Sequence, residues 1–133
     1  MMVQPLFSND SERDLAALQG SWKQIDFEEN GLSNPPDSHG AHDALTTFRD
    51  SHFEVRSATG VLLLEGEFTL DASVEPKAIT WMDAMGADKG KLLPAIYRLE
   101  GDRFIFIAAD EGMLRPTTFR TTSGLTMRTF VRR

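Results

Sequence analysis

Apolar positions recur at intervals of two over short runs of this chain, and turns rich in glycine, aspartate and asparagine separate the runs. That spacing predicts antiparallel strands over residues 21–28, 45–49, 51–57, 61–70, 77–82, 93–99, 103–109, 115–120 and 125–131. Glu100-Gly101-Asp102 reads as a tight hairpin, with glycine supplying a positive φ. Gly66, inside a long run, predicts a bulge or a corner where a strand bends. One stretch has helical spacing. Asn9 or Ser11 can cap a short helix that carries Leu15 and Leu18 on one face and ends on Gly20. Residues 1–8 read as a flexible lead-in and residues 9–133 as one domain. The fold class is therefore all-β, an up-and-down antiparallel barrel of about eight strands with a short N-terminal helix plugging or covering one end.

Two strands carry a parity problem. Trp22 shares its face with Gln24, Asp26 and Glu28, while Ile25 and Phe27 point the other way. An inward Trp22 then requires either a wet cavity or a bulge that restores parity. Residues 103–109 are apolar on both faces, so one face should line the lumen and the other should lie beneath the helix or a partner. Residues 29–43 are too rich in breakers for regular structure and, with residues 83–90, are candidates for loops that gate a barrel mouth.

Composition narrows the function. With 41% hydrophobic and 26% charged residues and no cysteine, the chain reads as a globular domain without disulfides or a thiolate metal site. The start has neither the basic region nor the apolar run of a signal peptide, and no segment reaches the ~20 apolar residues that cross a bilayer. A cytoplasmic protein without a membrane partner is the expectation. The net charge of −6 argues against nucleic acid as a partner. Charge is uneven, with a net −10 over residues 1–75 and a net +4 over residues 76–133. Pairing of the first and last strands in a closed barrel would set acidic and basic strands side by side.

Candidate chemistry is sparse. His39, His42 and Asp43 lie within five residues, with His52 nine further on, but no confident third and fourth zinc ligand follows, so no metal site is expected. Asp26, Glu28, Glu29 and Asp43 could furnish an acid/base pair, although carboxylates at this density are usually surface charge. No nucleophile elbow, phosphate-cradling loop or cofactor motif is present, which makes an enzyme the third-ranked reading. Trp81, Tyr97, Phe104 and Phe106 are the candidate walls of an apolar lumen. Barrels of eight strands are either filled by side chains or wide enough for one small ligand, and this chain length favours a mostly filled one.

Gly20-Ser21-Trp22 after a short helix resembles the Gly-X-Trp signature that opens lipocalin-type barrels. The resemblance implies that Trp22 closes the barrel base against an arginine near the end of the last strands; of Arg128 and Arg132, Arg128 is preferred. A wider resemblance runs through Leu18–Trp22, Gly66–Asp71, Pro76–Ile79, Gly90-Lys91, Ala95–Asp102 and Arg115–Phe119. In that order these segments are similar to an uncharacterised bacterial family of lipocalin-like domains first catalogued from planctomycetes, which usually has Gly at position 95 and Asp at position 100. The family implies the barrel but no general activity. The leading expectation is a non-catalytic barrel that binds a small apolar or amphipathic molecule. A protein-interaction module with a filled barrel, including self-association as a homodimer, is the alternative.

Overall fold

The computed structural model describes residues 6–35 and 43–133. The candidate histidines His39 and His42 lie outside the described residues. Helix α1 (Leu6–Leu18) leads into β1 (Gly20–Glu29), and a short β2 (Leu32–Asn34) folds back on the end of β1. The remaining strands are β3 (Leu45–Arg49), β4 (His52–Arg56), β5 (Leu62–Asp71), β6 (Ala78–Asp83), β7 (Leu92–Glu100), β8 (Arg103–Ala109) and β9 (Leu125–Arg132). Each pairs antiparallel with the next, and β9 pairs with β1, so β1 and β3 to β9 close an eight-stranded up-and-down barrel. Closure leaves the barrel strands without unpaired edges.

The parity problem of β1 is solved by a bulge. Gln24 pairs with Phe130 and Asp26 with Thr129, so Ile25 is the extra residue. Beyond it the inward face shifts by one position, and Phe27 (2% exposed) joins Trp22 on the inside. A second register shift falls between Val55 and Arg56, where Leu63 is the added residue. The expected irregularity at Gly66 is thus displaced, because Gly66 pairs in regular register with Phe53 and Asp83. Its role is close approach: a Cβ there would lie 2.2 Å from the Met82 carbonyl oxygen and 2.9 Å from the Phe53 ring. The Glu100–Arg103 hairpin forms as expected, with Gly101 at φ 59°.

Residues 115–120 are not a strand. The segment from Asp110 to Gly124 is an irregular strap along the outer face of the barrel. Arg115 Nη1 donates to the carbonyl oxygens of Ile79 (2.9 Å) and Ala95 (2.7 Å), and Nη2 donates to Thr80 Oγ1 (2.8 Å). Further along, Phe119 lies under the Arg98 guanidinium at 4.1 Å, and the Thr121 hydroxyl donates to Glu28 and accepts from the Gly31 amide. The run Arg115-Pro116-Thr117-Thr118 lacks alternation, and its polar side chains bind neighbouring strands instead of letting its backbone join a ladder. Ile96 and Ile107 point outward yet are buried to 1% and 0%, on the face this strap crosses. The second apolar face of β8 therefore lies under the chain's own strap, not under the helix.

Candidate ligand-binding cavity

The strand directions place α1, the β3–β4 turn, the β5–β6 turn and the β7–β8 hairpin at one end of the barrel. The β1–β2 turn and the loops after β4, β6 and β8 lie at the other.

The first end is sealed. Leu18 and Trp22 are 1% and 0% exposed, and the indole N–H donates to the Leu18 carbonyl at 2.7 Å. Gly20, at φ 105°, lets the chain turn from helix to strand within two residues. Arg132 lies on the indole at 4.3 Å. Its Nη1 donates to the Gln19 carbonyl at 2.8 Å, its Nη2 to the Ala17 carbonyl, and its Nε to Asp102 at 2.9 Å. The guanidinium thus terminates helix carbonyls while stacking on tryptophan. On the helix, Asp14 accepts from the Tyr97 hydroxyl (2.7 Å) and from Lys77 Nζ (3.0 Å). Burial first, and Asp14 second, push the Tyr97 phenol well above its ordinary range.

The arginine chosen from sequence to close the base is the wrong one of the pair. The β1–β9 register sets Arg132 opposite Trp22 and Arg128 opposite Phe27, and Arg128 stacks on Phe27 at 4.4 Å. Arg128 faces the lumen half-way along β9, with Nη1 donating to Gln24 Oε1 at 2.9 Å. The expected pairing of an acidic first strand with a basic last one is real, but these arginines meet aromatic rings across it.

The other end is hollow. A cavity of about 790 Å³ opens among the strand ends, with Phe48, Phe53, Trp81, Phe106 and Phe130 as its aromatic floor and Arg128 in its wall. Small inward residues, Ala108 and Thr126, paired across β8 and β9, line it. The expected mostly filled barrel is filled only in its closed half. Of the four predicted wall residues, Trp81 and Phe106 line the cavity, their rings 4.7 Å apart. Phe104 (0% exposed) and Tyr97 lie below it in the packed core. Sequence reasoning missed Phe48, Phe53 and Phe130 as cavity residues; their inward parity was readable, but not their position along the barrel axis.

At the mouth, Lys23 pairs with Asp43 (3.5 Å), and Lys91 with Asp88 (3.7 Å) and Glu111 (3.4 Å). Asp83 also lines the cavity; burial first, then the Asp88 charge, raise its carboxyl above the usual range. The candidate acid/base carboxylates do not assemble, since Glu28 turns to Thr121 on the strap and Asp43 to Lys23. His52 gathers with Glu54 and Glu65 on the outer face, their ligand atoms within 4.8 Å of one another, but Glu54 is also held by Arg56 at 3.0 Å.

No protein-family model matches this chain, and no curated protein or solved structure matches it. The fold and the cavity define a class: a closed eight-stranded antiparallel barrel, sealed at one end and hollow at the other. Among the described residues no helix is long and apolar enough to cross a membrane.

Proposed function

We propose that this protein is a lipocalin-like, non-catalytic binder of one small amphipathic molecule, held in the open half of the barrel. The observation that carries the reading is the cavity: its size falls in the range of small-molecule pockets, its floor is aromatic, and a few polar groups converge on its wall and rim. Leu32 (70%), Val61 (58%) and Leu92 (60%), three of the exposed large apolar side chains, stand at strand ends and loops on this side of the barrel. An apolar molecule arriving at the mouth meets compatible surface there.

A neutral lipophilic dye such as N-phenyl-1-naphthylamine tests the reading. Its fluorescence should rise on titration and saturate at one dye per barrel. Ala108→Leu, which fills the cavity from within, should weaken that binding at least about ten-fold. Its stability should change by less than about 1 kcal/mol, because the added methylenes enter space and not a packed core. Native mass spectrometry that finds no co-purified molecule, together with no saturable dye binding, defeats the proposal.

A further inference from the structure

Three arginines reach into or across the barrel wall, and two have their donors taken up. Arg132 uses Nε, Nη1 and Nη2 on Asp102, Gln19 and Ala17. Arg115 bonds Ile79, Ala95 and Thr80. Arg128 is the exception. Among the described residues its five N–H donors have one hydrogen-bond acceptor, Gln24 Oε1, and no carboxylate forms an ion pair with it. It nonetheless sits in the cavity wall, where burial lowers its pKa and Glu29 only offsets this. The two lysines at the mouth already have carboxylate partners.

We propose that Arg128 is the head-group site of the cavity and that the amphipathic ligand carries a carboxylate, its apolar part lying on Trp81, Phe53 and Phe106. The inference rests on the cavity's being a binding site. A guanidinium partly removed from water, with donors left over, is stabilised most by a planar anion that meets its fork with two parallel hydrogen bonds. Phe27 beneath the guanidinium at 4.4 Å and Gln24 on Nη1 fix its plane and rotation before a ligand arrives, so little freedom is lost on binding. The described residues of the rim do not supply the same recognition. They bring Asp43, Asp83, Asp88 and Glu111 against Lys23 and Lys91, a surplus of negative charge that repels an anion there. Selection for a carboxylate therefore falls to Arg128, the cation in the cavity wall that among the described residues has no ion pair.

The test compares laurate, dodecanol and dodecyltrimethylammonium, all below their aggregation limits, by calorimetric titration of the full chain and of Arg128→Met. Laurate should bind about ten-fold or more tightly than dodecanol, as a charge-assisted pair inside a cavity requires. Arg128→Met should erase that preference by lowering laurate affinity about ten-fold more than dodecanol affinity, and Arg128→Lys should restore part of it. Equal binding of laurate and dodecanol, tighter binding of the ammonium compound, or a laurate preference that survives Arg128→Met overturns the head-group assignment and leaves the cavity reading intact. Binding of none of the three overturns both. A readout on the unaltered protein stands beside these: carboxyl-labelled laurate, followed by carbon NMR across pH, should titrate below its free value when bound. A bound carboxyl that titrates at or above the free value contradicts the assignment.

Discussion

The two ends of this barrel are built from the same eight strands and differ in what those strands turn inward. At the closed end the inward residues are Trp22, Phe48, Phe68, Ile79, Tyr97 and Phe104, whose rings meet edge-on or tilted at 5.4–6.2 Å. At the open end, the same strands hold small residues such as Ala108 and Thr126. The same strands run through both ends, so side-chain volume, together with helix α1 over the sealed end, decides which end is core and which is container. The polar groups follow the same division. Asp14, Tyr97, Lys77 and Arg132 satisfy one another or helix carbonyls at the sealed end, whereas Arg128 and Asp83 face the cavity with less company.

Removal of Trp22 should produce the largest effect, because it strikes the sealed end where nothing can collapse into the gap. Trp22→Ala should cost about 3–5 kcal/mol in urea unfolding, through lost burial, an unfilled space and the loss of the surface on which Arg132 lies. A loss below about 1 kcal/mol would mean that the helix, not the indole, holds this end shut.

The two arginines of β9 give a sharper version of the comparison, since residue type and strand are held constant. Arg132→Met should lower stability by about 1–3 kcal/mol, because it removes a stacked cation and leaves the Ala17 and Gln19 carbonyls without their donor. Arg128→Met should be neutral within about 1 kcal/mol, or stabilising, since a buried charge without a carboxylate is replaced by an apolar side chain of similar length. Chemical denaturation of the two variants side by side decides it. Equal losses would erase the distinction between an arginine that serves the fold and one that serves the cavity.

These two residues also mark where the sequence stops being legible. Arg128, Phe130 and Arg132 alternate on one face of β9, so period alone puts both arginines inside. Which of them meets Trp22 depends on the β1–β9 register and on a bulge at Ile25, and both are settled by packing of strands far apart in the chain. The strands, the hairpin at Gly101 and the helix ending at Gly20 were readable because local spacing and turn chemistry determine them. Within the strap, residues 115–120 read as a strand because a Thr-rich run has β propensity whether or not its backbone pairs. The cavity lay furthest out of reach. Nothing in the local sequence singles out Ala108 and Thr126, and they line one space because the β8–β9 register sets them opposite each other.

The smallest expected effect concerns the carboxylates at the two ends. Asp14 accepts hydrogen bonds from Lys77 and Tyr97, and both are lost when its carboxylate is replaced. Asp83 faces the cavity, where burial and the neighbouring Asp88 favour its protonated form. A carboxyl whose pKa is higher in the folded than in the unfolded chain binds its proton more tightly when folded. Its stabilising contribution is therefore complete below the ordinary aspartate range, near pH ~3.9, and is lost as pH rises through the raised value. Asp83→Asn removes that loss. The variant should melt slightly above the unaltered protein at pH 7, and the gap should close as pH is lowered toward 4, whereas Asp14→Asn should melt lower at pH 7. Thermal melts of both variants between pH 4 and 8 read the two signs directly. If Asp83→Asn melts lower at pH 7, the mouth provides Asp83 with a stabilising partner, and the contrast between a satisfied end and an unsatisfied one fails at that residue.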